Sequence, residues 1–200
     1  MSTTRATPEQ PDTFAFTAQN EERVRAIIAR YPEGRQASAI MPLLDLAQRQ
    51  SGGWLPQAAI EYVAGMIDMP LIQAMEVATF YTMYNLAPVG EHLVQVCTTT
   101  PCWLRGSDDV VGACKKSLGV ELGETTADGK FTLREVECLG ACVNAPILQI
   151  NDDYYEDVDE HTTVRILEDL KSGEKPRAGP QTGRQTSAPV PGPTTLTGIE

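Results

Sequence analysis

Four of the chain's five cysteines stand in two tight pairs. Cys97 and Cys102 have four residues between them, Cys138 and Cys142 have three, and 35 residues separate the pairs. No other feature restricts the fold as much, because a chain that serves one centre with both pairs must bring two short loops to one place. A binuclear iron–sulfur cluster needs four thiolates, two per iron, and a pair within one loop reaches one iron without help from distant segments. A structural zinc also accepts four thiolates, commonly with about two residues between the members of a pair. The spacings lean toward [2Fe-2S] and leave zinc open. Disulfides are a third reading, but five cysteines leave one thiol over. The N-terminus also lacks the apolar core of a secretory signal, which argues against an oxidising compartment.

A chain of 200 residues suits one domain or two small ones, and its 42% hydrophobic content is enough for a packed core. No apolar run approaches the roughly 20 residues that span a bilayer, so the expectation is a protein without direct membrane insertion. The net charge of −11 argues against nucleic acid, whose phosphates need clustered Lys and Arg.

Residues 1–20, rich in Thr, Pro and Gln without apolar period, read as a flexible arm. From residue 21 to about 90 the pattern is helical. Val24, Ile27, Ile28 and Tyr31 form one stripe, stopped by Pro32 and Gly34, and Ile40, Leu43, Leu44 and Ala47 form a second. Ser38 is placed to cap the second helix, with Pro42 in its first turn. Pro56 opens a third stripe at Ile60, Val63, Ala64 and Ile67, and Pro70 a fourth through Leu71, Met75 and Ala78. Four helices this short must bury their stripes together, which predicts a small N-terminal four-helix bundle. Phe80, Tyr81 and Tyr84 read as packing aromatics at its end.

At Leu93 the period shifts from helix to strand. Leu93, Val94 and Val96 lead into Cys97; a helix is expected through Val110, Val111, Cys114 and Leu118, ended by Gly119. Cys114 lies on that helix's apolar stripe and reads as a buried thiol. Phe131, Leu133 and Val136 alternate into Cys138 after an Asp128-Gly129 turn. Ile147 to Ile150 and Tyr154-Tyr155 give two more strands, and Val164, Leu167 and Leu170 a last helix. The order from 91 to 172 is that of a small α/β domain with both cysteine pairs just after strands. A thioredoxin-like topology would bring them together. Residues 173–200, poor in apolar side chains, read as an extended or disordered tail suited to strapping across a partner.

These motifs carry a family resemblance. Gly53-Trp54-Leu55-Pro56, the run Val77 to Tyr84, Cys97-Thr98-Thr99-Thr100-Pro101-Cys102 and the run Glu137 to Pro146 resemble, in order, the small thioredoxin-like [2Fe-2S] subunit of respiratory complex I, the NADH-quinone oxidoreductase. The likeness runs from about Glu21 to Lys171. It implies an α+β chain in which a helical bundle precedes a thioredoxin-like domain, with one [2Fe-2S] cluster on Cys97, Cys102, Cys138 and Cys142 and no role for Cys114. It also implies a flavoprotein partner that holds FMN and NADH, a larger iron–sulfur partner subunit, and no catalysis by the isolated chain. The expected location is the cytoplasmic side of a bacterial inner membrane, peripherally held, with the mitochondrial matrix side as alternative.

Two other function classes remain at this level. The equivalent subunit of an NAD-linked hydrogenase or formate dehydrogenase would share the motifs, and a zinc-stabilised structural module would share the cysteines. Independent catalysis finds no support: His92 and His161 lie beside no nucleophile, and no glycine-rich nucleotide loop occurs. The acidic run Asp152 to Glu160 lacks the ligand spacing of an EF-hand and reads as a solvated hairpin and helix start, with Asp159 and Glu160 on the helix dipole. Thr98, Thr99 and Thr100 offer donors to the sulfurs. Gly140 lets the backbone fold closely between its two cysteines.

Overall fold

The stripes read from the sequence become helices in the computed structural model, which describes residues 9–192 and 194–198. The chain divides into two units, Met1–Val89 and Gly90–Glu200. Residues 1–8 of the expected arm, Pro193 and the last two residues lie outside the described residues.

In the first unit α1 spans Ala18–Ile28, α2 Ile40–Gln50, α3 Gln57–Met66 and α4 Leu71–Phe80. Pro56 and Pro70 immediately precede α3 and α4, where a missing N–H costs nothing because the first amides of a helix have no partner inside it. One buried cluster takes in Val24 of α1, Leu43, Leu44, Leu46 and Ala47 of α2, Ala59, Ile60 and Val63 of α3, and Ala74 and Ala78 of α4. Each large member contributes about 1.5–3 kcal/mol by leaving water.

Three expectations need correction here. Ser38 caps nothing: Gln36–Ala39 forms a 3-10 turn that runs directly into α2, so the backbone is already helical at Ala39. Tyr84 does enter the core and donates to Met41 O at 2.9 Å, but Phe80 is 76% exposed. Phe80 lies two positions past Ala78 on α4, roughly 200° around the helix from the buried Ala74–Ala78 stripe. Finally, the described part of the expected flexible arm makes specific contacts from Phe14 to Asn20. Phe14, Phe16 and Tyr62 meet edge to face, with ring centroids 5.1 to 5.8 Å apart. The Gln50 side chain donates to Ala15 O and accepts from Thr17 N and Asn20 Nδ2. Two aromatics two residues apart have no helical period, yet they share one side of an extended chain.

The second unit is a five-stranded mixed sheet in the order β2-β1-β3-β4-β5. Here β1 is His92–Cys97, β2 Phe131–Val136, β3 Ile147–Ile150, β4 Asp153–Glu156 and β5 Gly179–Pro180. Between β1 and β2 come α5 (Thr100–Leu104) and α6 (Ser107–Leu118), which Gly119 ends; α7 (Glu160–Ser172) follows β4 and packs against α6. Val94, Val96, Leu133, Leu148, Ile166 and Leu167 fill the core, and Cys114 sits wholly buried among them. Burial pushes the Cys114 thiol up to about 12, as the inert role requires. At Gly90 the chain passes so close to β2 that a side-chain carbon would stand 2.8 Å from Phe131 N. That contact admits only glycine, and it seats Gly90 N–H on Thr132 Oγ1 at 2.7 Å.

β5 falls in the region expected to be an extended or disordered tail. It pairs in parallel with β4, Tyr155 opposite Gly179 and Glu156 opposite Pro180. An edge strand offers unpaired backbone groups that any sequence can use, so poor apolar content did not prevent the docking.

Candidate functional site

Sheet topology gathers the cysteines. β1 and β2 are parallel neighbours with Cys97 opposite Val136, so the loops that follow them leave the same end of the sheet. Cys97 is the last residue of β1, and Cys138 comes two residues after β2. β3 starts at that end too, since it runs antiparallel to β1 with Leu148 opposite Val96. Cys102 lies in α5, and Cys142 opens a 3-10 turn, Cys142–Asn144. All four positions singled out in the sequence therefore meet at one end of the sheet.

The two pairs sit in different surroundings. Cys97 and Cys102 are 1% exposed and pack with Ala145 and Ile147, against which Leu139, Ala141 and Tyr154 also lean. Cys138 and Cys142 are exposed, their sulfurs 3.3 Å apart. Tyr154 Oη donates to Leu139 O at 2.8 Å and so ties the second loop to β4.

Donors are turned toward the sulfurs. Thr99 Oγ1 lies 3.2 Å from Cys97 Sγ, and Gly140 N–H points at Cys138 Sγ at 3.4 Å. Gly140 holds φ +81 to do so, a left-handed conformation that a side chain resists. Of the three threonines only Thr99 serves a sulfur in this way; the Thr98 hydroxyl donates to Glu135 Oε1 at 2.6 Å, and Thr100 begins α5.

Acidities follow the same geometry. Burial pushes Cys97 up, but the Thr99 hydroxyl and N–H, the Leu139 backbone and Cys102 outweigh it, and the thiol ends below its ordinary value. Burial first, then the Cys97 neighbour, drives Cys102 up to about 12, against a smaller opposing pull from the Ile147 backbone. The Gly140 N–H lowers Cys138, while the bond to Cys138 raises Cys142. In each pair one thiol is held below its ordinary value and the other above it, because neighbouring sulfurs this close oppose each other's ionisation. Four thiols that obstruct each other's ionisation, with backbone groups of Leu139, Gly140 and Ile147 aimed at three of them, suit a metal–sulfur cluster. Among the described residues, no group of three or more His, Cys, Asp and Glu side chains converges on a point that would hold a single metal ion.

The acidic run is more engaged than expected. Asp159 caps α7 by accepting from Thr162 N at 2.7 Å, which holds its carboxyl below the usual range. Asp153 pairs with Lys175 at 3.1 Å, and Asp157 forms a buried pair with Arg184 from the tail. Glu156 accepts from Asn144, two residues after Cys142. Arg184 escapes a reading by motif, since nothing local marks it in a Gly/Pro/Thr tail, and neither the second cysteine run nor the acidic run hints that Asn144 and Asp157 meet that tail. The His92 ring lies tilted against Phe131, with centroids 5.0 Å apart.

Comparison with known proteins places this geometry. The profile of the thioredoxin-like [2Fe-2S] ferredoxin family matches residues 24–171. A Rickettsia conorii protein, named as the E subunit of NADH-quinone oxidoreductase, is 62% identical over 159 residues, 80% of this chain and 95% of its own. The Rickettsia typhi protein of the same name is 61% identical over 156 residues, 78% of this chain and 92% of its own. A Dictyostelium discoideum protein named NADH dehydrogenase [ubiquinone] flavoprotein 2, mitochondrial, is 51% identical over 183 residues, covering 92% of this chain and 74% of its own. Among solved structures, an NAD+-reducing [NiFe]-hydrogenase in the air-oxidised state superposes with a TM-score of 0.56 at 18% identity. The match covers 66% of this chain and 23% of that one, a likeness of fold alone.

Proposed function

The chain belongs to the thioredoxin-like [2Fe-2S] ferredoxin family, and from that premise we propose that it is the small electron-transfer subunit of an NADH-quinone oxidoreductase, holding one [2Fe-2S] cluster on Cys97, Cys102, Cys138 and Cys142. The observation that carries this reading is the meeting of four thiols, as two pairs, at one end of the sheet. Two thiolates for each of two irons is the partition a binuclear cluster uses. The cluster supplies a one-electron store, and the chain's own groups do the rest.

Cys97 and Cys102 anchor the buried side, where Ala145 and Ile147 keep water away. Thr99 and the Gly140 N–H donate toward Cys97 and Cys138. Hydrogen bonds to sulfur favour the more negative reduced state, so these donors raise a potential that four thiolates alone would hold low. The exposed pair forms the face through which an electron passes. Its partner in that exchange is an FMN- and NADH-binding flavoprotein subunit, with a larger iron–sulfur subunit as second neighbour. Helices α1 to α4 serve as a small bundle that docks on these subunits. Among the described residues no helix is long and apolar enough to cross a membrane, and the assembly we propose holds the chain peripherally, on the cytoplasmic side of a bacterial inner membrane. The mitochondrial relative gives the matrix side as the second reading.

The test is anaerobic absorption and EPR spectroscopy of the purified chain, with iron, sulfide and zinc counted on the same sample. About two irons and two sulfides per chain, with a rhombic signal only after reduction, are expected. A colourless protein with one tight zinc and no sulfide after anaerobic reconstitution would replace electron transfer with a structural role. The hydrogenase or formate dehydrogenase alternative is separated by which flavoprotein co-purifies with a tagged chain.

A further inference from the structure

The C-terminal segment returns onto the second cysteine loop. After β5, Gln181 N–H donates to Glu156 O at 2.9 Å, and the chain then crosses the 3-10 turn that starts at Cys142. Arg184 grips Asp157 with two bonds, Nε to Oδ2 at 2.7 Å and Nη2 to Oδ1 at 2.5 Å, and each side chain is only 8% exposed. Arg184 Nη2 also donates to Val143 O at 3.0 Å, the carbonyl of the residue after Cys142. From the tail, Thr186 O accepts from Asn144 Nδ2 at 3.0 Å. From the other side, Asp157 N–H donates to Asn144 O at 2.7 Å, its backbone held at φ +54, a conformation costly for a residue with a side chain.

We propose that residues 179–188 are an intramolecular clasp on the second thiolate loop and that Arg184 positions Cys142 for the cluster. The inference rests on the cluster reading and names a residue outside the segment that the family profile matches. Burying an arginine–aspartate pair is expensive unless its geometry is very good, and a tail that only needed to lie down would not require one. What the pair achieves is specific. The planar guanidinium meets a carboxylate on one edge and has an N–H left for Val143 O, a bidentate arrangement that an ammonium cannot copy. Asp157 meanwhile holds Asn144 through its own N–H, so the turn carrying Cys142 is gripped at two successive carbonyls. The first pair needs no such device, being locked by β1, α5 and burial; the exposed pair has none of these.

The test uses the full chain reconstituted anaerobically with iron and sulfide, as wild type, Arg184→Ala and Arg184→Lys. Three quantities are followed: visible bleaching by an iron chelator, the EPR spectrum after reduction, and Tm. Arg184→Ala is expected to lose its cluster about tenfold faster and to broaden the rhombic signal, as removal of a ligand's supporting partner does. Arg184→Lys keeps the charge opposite Asp157 but not the planar fork that reaches Val143 O at the same time, and should fall between. Wild-type bleaching and EPR in both variants, even with a lowered Tm, overturn the clasp while leaving the cluster reading intact. If Arg184→Ala does not fold, Arg184→Lys decides alone: faster bleaching supports the clasp, and the wild-type rate overturns it. A wild-type chain that takes up no iron and sulfide overturns the cluster reading and the clasp's role with it.

Discussion

The two cysteine pairs meet at one end of the sheet but are held by opposite means. Cys97 ends a central strand and Cys102 sits in a helix; both are 1% exposed and wedged against Ala145 and Ile147. Cys138 and Cys142 are exposed, and their backbone is irregular, shaped by a left-handed Gly140 and a three-residue turn. Regular hydrogen-bonding ladders and burial fix the first pair. The second depends on side-chain and tail contacts that can be removed singly, which is what a face exchanging electrons with another protein requires: open, yet not loose.

The comparison breaks most visibly at the ligands. Cys97→Ala or Cys102→Ala removes a buried thiolate that nothing from solvent can replace, and iron per chain should fall from about two to near zero. Cys142→Ser, at the open pair, should retain a part of the iron, with a shifted EPR spectrum. Equal and complete loss in all three variants would erase the distinction between the pairs.

Thiol reactivity of the metal-free chain sharpens it next. A lowered pKa means more thiolate at a given pH, so exposed Cys138 should be alkylated first near neutrality. Cys102 and Cys114, both driven up to about 12 and both buried, should react last. Mass spectrometry of a timed alkylation gives the order.

Smaller effects come from the supports. Ile147→Ala opens a cavity beneath the buried pair and should cost about 2–5 kcal/mol in denaturant unfolding. Gly140→Ala meets no atom within 4 Å, so only its left-handed backbone resists, by roughly 1–2 kcal/mol. Asp159→Ala, which removes none of the contacts to the sulfurs, is the control, and loss of the α7 cap should cost about 1 kcal/mol at neutral pH. Because the Asp159 carboxyl is held low in the fold by Thr162, its contribution is present above the unfolded pKa and vanishes as pH falls through the folded one. Wild type and Asp159→Ala should therefore converge in stability in acid.

Most of the site was legible because its signals are local. Cysteine spacing marked two paired loops, β-type or alternating apolar residues before each pair marked the strands, and an apolar stripe consigned Cys114 to the core. The misreadings have two causes, a partner far along the chain and a local geometry that overrides residue type. Phe14 and Phe16 look like part of a polar arm until Tyr62 is beside them. Phe80 belongs to an aromatic run, yet the angle around α4 sends it outward. Ser38 has the chemistry of a cap, but a 3-10 turn takes the helix start from it.

By itself the sequence determined the two cysteine pairs, the alternation of strands and helices that surrounds them, and the family to which the chain belongs. These depend on chemistry and periodicity within a few residues. Only the tertiary structure decided which pair is buried, which threonine reaches a sulfur, and that the tail folds back to grip the second loop through Arg184. Burial and long-range hydrogen bonds arise from segments brought together by sheet order. A lone arginine 42 positions after Cys142 carries no mark of the carbonyl it will find.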